Sequence, residues 1–185
     1  DRHKNLWGAI PNKGVVCYNQ QQQLLYEFGY TNDAQGIPQG VVCSISECRD
    51  GAVIVYDDGK LVCCDVMHQQ HTVWATEGLT QLKNRRTKSL RAFADQQDNI
   101  WLYGQGTLYM YNKSANLWDT NIGPSLGLTG YGVDRNINGM AGDRSGNIWI
   151  GSDQLGLLKM DVNTHSVESV KPRNINMNPG EIDNS

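Results

Sequence analysis

The stretch Asp143-Arg-Ser-Gly-Asn147-Ile-Trp149-Ile-Gly151, followed by Ser152-Asp-Gln-Leu-Gly156 and Leu157-Leu-Lys-Met-Asp161, decides how this chain is read. It spells a polar turn, a strand centred on Trp149, a Gly-containing hairpin and a second strand. One hairpin of this size cannot bury its apolar face alone, so copies that stack on it are to be sought. Asp95-Gln-Gln-Asp-Asn-Ile-Trp101 running to Tyr111 is one copy, and Asp1-Arg-His-Lys-Asn-Leu-Trp7 running to Tyr18 is another. A fourth, Glu47-Cys-Arg-Asp-Gly-Ala-Val53 running to Asp65, carries Val in place of Trp.

The repeats begin near residues 1, 47, 95 and 143. A spacing of about 40 to 50 residues filled with short strands is that of β-propeller blades. The expected fold is all-β, four repeats of a four-stranded antiparallel sheet. Residues 1–185 form one partial propeller, an incomplete piece of a seven-bladed ring.

Each repeat divides into strands A, innermost, to D, outermost. Blade one supplies B at 6–10, C at 15–19 and D at 24–30, and lacks A. Blade two has strands at 41–47, 52–56, 60–65 and 71–75, and blade three at 90–94, 100–103, 107–111 and 117–120. Blade four has them at 137–142, 148–151, 156–161 and 166–170, which makes fifteen strands in all. The tail from 171 to 185 holds Pro179-Gly180 and reads as no strand. D-to-A connections at 31–40, 76–89 and 121–136 are long and variable, whereas A-to-B and C-to-D turns are short. Recognition is therefore expected on the long-loop face.

Bulk properties exclude more than they assign. A net charge of −3, with no basic run longer than Arg85-Arg86, excludes a surface that tracks phosphates. No apolar run approaches the ~18 residues needed to cross a bilayer, and no basic-then-apolar leader opens the chain. A soluble, mature or excised segment is expected.

Cys17, Cys43, Cys48, Cys63 and Cys64 read as small apolar residues buried between blades. Cys43 and Cys63 fall on the first and third strands of one blade, about 9 to 10 Å apart and out of reach of a disulfide. Cys64, His68 and His71 match no closed zinc spacing. No cofactor, metal or catalytic residue is expected, and no nucleophile elbow, phosphate loop or His-Glu-x-x-His motif occurs.

Asp1, Glu47, Asp95 and Asp143 recur at one place per blade, which points to backbone capping in tight turns. Trp7, Trp101 and Trp149 recur likewise and read as packing between blades. For ligand binding the long loops offer Tyr30, Asn32, Arg85, Arg86, Tyr131, Asp134, Arg135 and Asn136, with Asp33 beside them. Aromatic faces with planar amide and guanidinium donors suit polyols.

The motif Asp-x-x-Gly-Asn-Ile-Trp-Ile-Gly-Ser followed by Gly-Leu-Leu-Lys-Met-Asp resembles the two-component regulator propeller repeat. The match is closest over 143–161, good over 95–111 and 1–18, and looser over 47–65. The resemblance implies the periplasmic sensor part of a hybrid histidine kinase and response regulator of Bacteroidetes, which detects oligosaccharides and is not itself catalytic. Partners implied are the remaining blades and signalling domains of the full-length protein and an oligosaccharide ligand; a homodimer between copies is a further expectation, and no nucleic acid is expected from the charge. The alternative is a secreted propeller enzyme of lyase or lactonase type acting on a glycan or lactone, since Asp-x-x-Gly-x-Ile-Trp is similar to the blade repeats of those enzymes too.

Overall fold

The computed structural model describes residues 1–11, 13–30, 37, 39–57, 60–74, 90–104, 107–125, 137–153 and 155–170. Its first sheet holds β1 (Leu6–Ile10), β2 (Gly14–Tyr18) and β3 (Leu24–Gly29). The second holds β4 (Val42–Cys48), β5 (Gly51–Tyr56), β6 (Leu61–Asp65) and β7 (Gln70–Trp74). β8 (Arg91–Ala94), β9 (Ile100–Gly104), β10 (Thr107–Asn112) and β11 (Leu117–Asp119) make the third. After a four-residue helix, α1 (Ile122–Ser125), the fourth follows with β12 (Ile137–Gly142), β13 (Asn147–Ser152), β14 (Gly156–Asp161) and β15 (Val167–Ser169). Every pairing between these strands is antiparallel and joins sequence neighbours, which gives four up-and-down blades. Among the described residues no helix is long and apolar enough to cross a membrane.

Side chains alternate across a strand, so a strand sandwiched between two blades must be apolar on both faces. β5 obeys this, since all six residues of Gly-Ala-Val-Ile-Val-Tyr are buried. Ile54 and Tyr56 pack with Val15 and Phe28 of blade one, while Val53 and Val55 pack with Leu90, Ala92 and Leu102 of blade three. β9 repeats the arrangement. Ile100 and Leu102 face blade two, and Trp101 and Tyr103 join Ile148, Ile150 and Met160 of blade four.

The end blades break the rule in the way an open ring requires. In β13 only Ile148, Ile150 and Ser152 are buried, and Trp149 on the other face is half-buried. In β1, Trp7 packs toward blade two, while Leu6, on the opposite face, is 69% exposed. Among the described residues the four sheets do not close into a ring.

Register corrects one part of the sequence alignment. Trp101 pairs with Phe93 and Ile100 with Ala94, leaving Asp95 as the first residue of its turn. In blade two, Val53 pairs with Ser46 and Ala52 with Glu47, so the residue at the Asp position is Cys48. Its turn, Arg49-Asp50, is one residue shorter than the others, which is why aligning acidic residues set Glu47 there.

Candidate functional site

Three of the A-to-B turns share one construction. Asp1, Asp95 and Asp143 each accept, on Oδ1, the backbone N–H groups two and four residues on, at 2.8 to 3.0 Å. The other oxygen of each takes the indole Nε1–H of Trp7, Trp101 or Trp149, at 2.9, 2.9 and 3.0 Å. An Asn side chain, from Asn5, Asn99 or Asn147, completes the set. A carboxylate that accepts so many donors is stabilised in its charged form. The backbone and side-chain amides of Asn147, with the Trp149 indole, hold Asp143 well below the usual carboxylate range. The fourth turn residue adopts left-handed backbone at Lys4 and Asp98, and glycine takes that role at Gly146.

In blades one to three the residue just after the turn-opening position reaches the following blade. Arg2 Nε and backbone N both donate to Glu47 Oε1, at 2.8 and 2.7 Å. Arg49 donates its backbone N–H to Asp98 Oδ1 at 3.0 Å, and Gln96 Nε2 donates to the Asp143 carbonyl. Lys113 bonds Asp98 as well and stands 3.4 Å from Asp50, tying blade three back to blade two. Arg2, Arg49 and Arg144 line one cavity of about 390 Å³ at these inner turns. Arginines from three blades thus line one opening. A second cavity, about 240 Å³, lies between the turns of blades one and two and is lined by His3, Tyr26, Glu47, Asp50 and Met67 among others. Both cavities sit at the face of the short A-to-B turns.

Of the loop residues singled out for ligand binding, Tyr30 is placed. Its N–H donates to the Lys13 carbonyl at 3.1 Å, it forms a parallel bridge with Ile37, and its half-buried ring packs on the core between blades one and two. Asn32, Asp33, Arg85, Arg86, Tyr131, Asp134, Arg135 and Asn136 lie outside the described residues. The sequence reading missed the arginines of the inner turns. Their signal was the residue just after the turn-opening position, basic in three of the four blades.

Blade two replaces the carboxylate and indole with sulfur. Cys48 stands where the other blades have Asp, Val53 where they have Trp, and the Cys48 and Cys63 Sγ atoms lie 4.0 Å apart. The Cys63 S–H, and more weakly the Asp50 and Gly51 N–H groups, hold the Cys48 thiol below its ordinary value. The same S–H contact and burial push Cys63 up. Burial raises Cys64, on the other face, to about 12. Among the described residues no three His, Cys, Asp or Glu side chains gather in a metal-ligating group.

No family model matches the chain, and no curated protein matches it. Solved structures do. Over 90% of its length the chain superposes on 22% of the extracellular domain of a hybrid two-component system from B. thetaiotaomicron, with a TM-score of 0.61 and 17% identity. The fold is that of β-propeller blades. A second extracellular domain of a hybrid two-component system from that organism matches over 90% of this chain and 20% of its own, at TM-score 0.57 and 14% identity. PorZ, a surface component of the type-IX secretion system of Porphyromonas gingivalis, matches over 92% of this chain and 20% of its own, at 0.54 and 11%. The chain therefore spans about a fifth of the length of each. At these identities the likeness concerns the fold.

Proposed function

We propose that this chain is a segment of the extracytoplasmic, periplasmic sensor of a hybrid two-component regulator, that it responds to an oligosaccharide, and that it carries no catalysis of its own. The observation that carries the reading is the likeness of its blades, over 90% of the chain, to the extracellular domains of two such systems. The turn motif built on Asp95 and Trp101 supports it independently, through the resemblance of that motif to the sensor repeats. Residues 1–185 are then one sector of a larger ring, whose other blades, membrane helix and kinase belong to the full-length protein. The open faces carrying Trp149 and Leu6 suit that arrangement, because each is the kind of surface that a neighbouring blade covers elsewhere in the chain.

Within this reading, Tyr30, Asn32, Arg85, Arg86, Tyr131, Asp134, Arg135 and Asn136 contribute the ligand side of the long-loop face. Calorimetry of the full ectodomain against a panel of neutral and acidic oligosaccharides tests it. Binding of at least one glycan, weakened by Arg135→Ala or Tyr131→Ala, is the expected result. Glycan binding that both variants leave unchanged would move the site away from these loops. An ectodomain that binds no glycan and instead turns one over would overturn the sensor reading.

A further inference from the structure

We infer that Cys48 and Cys63 form a two-thiolate site for a soft, two-coordinate cation, copper(I) being the biological ion of that class. The two residues sit on β4 and β6, the strands that flank β5. Register places them on one face: Cys48 pairs with Gly51, and Cys63 pairs with Val53. Gly51 has no side chain and Val53 replaces the Trp of the other blades, so no bulky side chain of β5 stands between the two sulfurs. In blades one, three and four an indole fills that space and bonds the carboxylate that Cys48 replaces. Asp and Trp are thus exchanged together in this one blade, and the exchange leaves two sulfurs facing each other.

Distance argues against a disulfide and admits a metal. A disulfide needs sulfurs about 2.05 Å apart and Cα atoms within about 6.8 Å. Strands on either side of a central strand lie about 9 to 10 Å apart, so closing the bond would require β4 and β6 to approach through β5. The 4.0 Å between the two sulfurs is that of an S–H···S contact between thiols, and it lies close to the separation that a single metal imposes. Two thiolates on one tetrahedral zinc, with bonds of about 2.3 Å, stand about 3.8 Å apart, and a wider S–metal–S angle moves them slightly further.

Donor count then selects the ion. Zinc in a structural site takes four protein ligands, and no third His, Cys, Asp or Glu joins this pair among the described residues. Thiolates alone, in a pair, suit copper(I), which accepts soft ligands in low coordination number. Cys48 is 4% exposed and Cys63 half-buried, so the ion would be shielded from water yet reachable from one side. Binding exchanges two thiol protons for one monovalent cation, with no change of oxidation state.

The test is an anaerobic copper(I) titration of the reduced 185-residue chain against bicinchoninate, a chromophoric copper(I) chelator. One copper(I) withdrawn per chain is expected, with C43S retaining it and C48S and C63S each losing it. X-ray absorption at the copper edge should then find two sulfur neighbours and no nitrogen. V53W, which restores the residue of the other blades between the sulfurs, should lose capture while its thiol count is unchanged. Should these variants lose their β-sheet spectrum, alkylation of the wild-type chain by iodoacetamide decides: one equivalent of copper(I) should protect Cys48 and Cys63 and no other cysteine. No withdrawal by the wild type, equal withdrawal by C48S, a third protein ligand, or recovery of a Cys48–Cys63 disulfide would each overturn the assignment.

Discussion

Trp101 donates its indole N–H to Asp95 Oδ2 at 2.9 Å, inside a contact between blades three and four where the ring is 0% exposed. One bond therefore joins the two parts of the repeat that the sequence displays separately, an acidic turn and an aromatic strand. The carboxylate organises its turn through the Gln97 and Asn99 amides and also satisfies the polar atom of a ring that the next blade buries. A buried Trp N–H needs such a partner.

Asp95→Ala should accordingly cost more than a surface substitution, because it leaves buried donors unpaired at about 1 to 3 kcal/mol each. Trp101→Phe removes the indole donor while keeping an aromatic ring. A double-mutant cycle with Asp95→Ala and Trp101→Phe, read from urea midpoints, should give a coupling of about 0.5 to 3 kcal/mol. Strict additivity would mean that the bond contributes nothing beyond the turn.

The three tryptophans should not be equivalent. Trp101→Ala empties a site enclosed by blade four and should cost about 3 to 5 kcal/mol, the range for truncating a buried aromatic. Trp149, with the same partner geometry but one face uncovered, should cost distinctly less in the 185-residue chain. Guanidinium denaturation of both variants checks this. Equal losses would show that the Trp149 face is covered in solution, by another copy of the chain.

Backbone approach supplies a third expectation. A Cβ on Gly51 would come within 2.2 Å of the Cys64 carbonyl oxygen, a backbone atom that cannot step aside, whereas one on Gly139 would meet nothing within 4 Å. Gly51→Ala should cost about 1 to 3 kcal/mol or more through overpacking. Gly139→Ala should stay within about 0.5 kcal/mol. Thermal melts of the two variants side by side give the comparison, and a benign Gly51→Ala would mean that β5 and β6 are free to separate.

Most of this fold was legible because a propeller writes its geometry as a period. Each blade repeats a turn, a Trp strand and a hairpin, so fifteen strands could be placed from four landmarks, and the observed boundaries differ from the expected ones by a residue or two. A second period went unused: Gln22, Gln69, Asn116 and His165, one in each C-to-D turn, all have left-handed backbone. Side-chain type hid it, since only conformation is shared. The proposed ligand site was less legible for the same physical reason. Loop residues such as Arg135 and Tyr131 do not recur between blades, so no period locates them. The Cys48 pair was missed because aligning by charge put Glu47 at the Asp position. Asking what fills the space vacated at Val53 would have found it.

Asp143 gives the chain a titratable support whose sign can be worked out. Its folded pKa is depressed, by the Asn147 backbone amide first, then the Asn147 side chain and the Trp149 indole. A carboxylate depressed on folding contributes stability that is fully present above its unfolded value, about 3.9, and is lost as pH falls below that value through the folded one. The contribution is thus constant from neutral pH down to about pH 4 and declines under more acid conditions. Asp143→Asn cannot titrate, and it presents one acceptor oxygen where the wild type presents two. Its melting temperature should lie below that of the wild type at pH 7, and the gap between the two should narrow as pH drops below about 4. Melting curves of both proteins at intervals between pH 7 and pH 2 provide the measurement. A gap that stays constant over that range would show that the carboxylate charge at Asp143 is irrelevant to the turn, and that its oxygens act only as neutral acceptors.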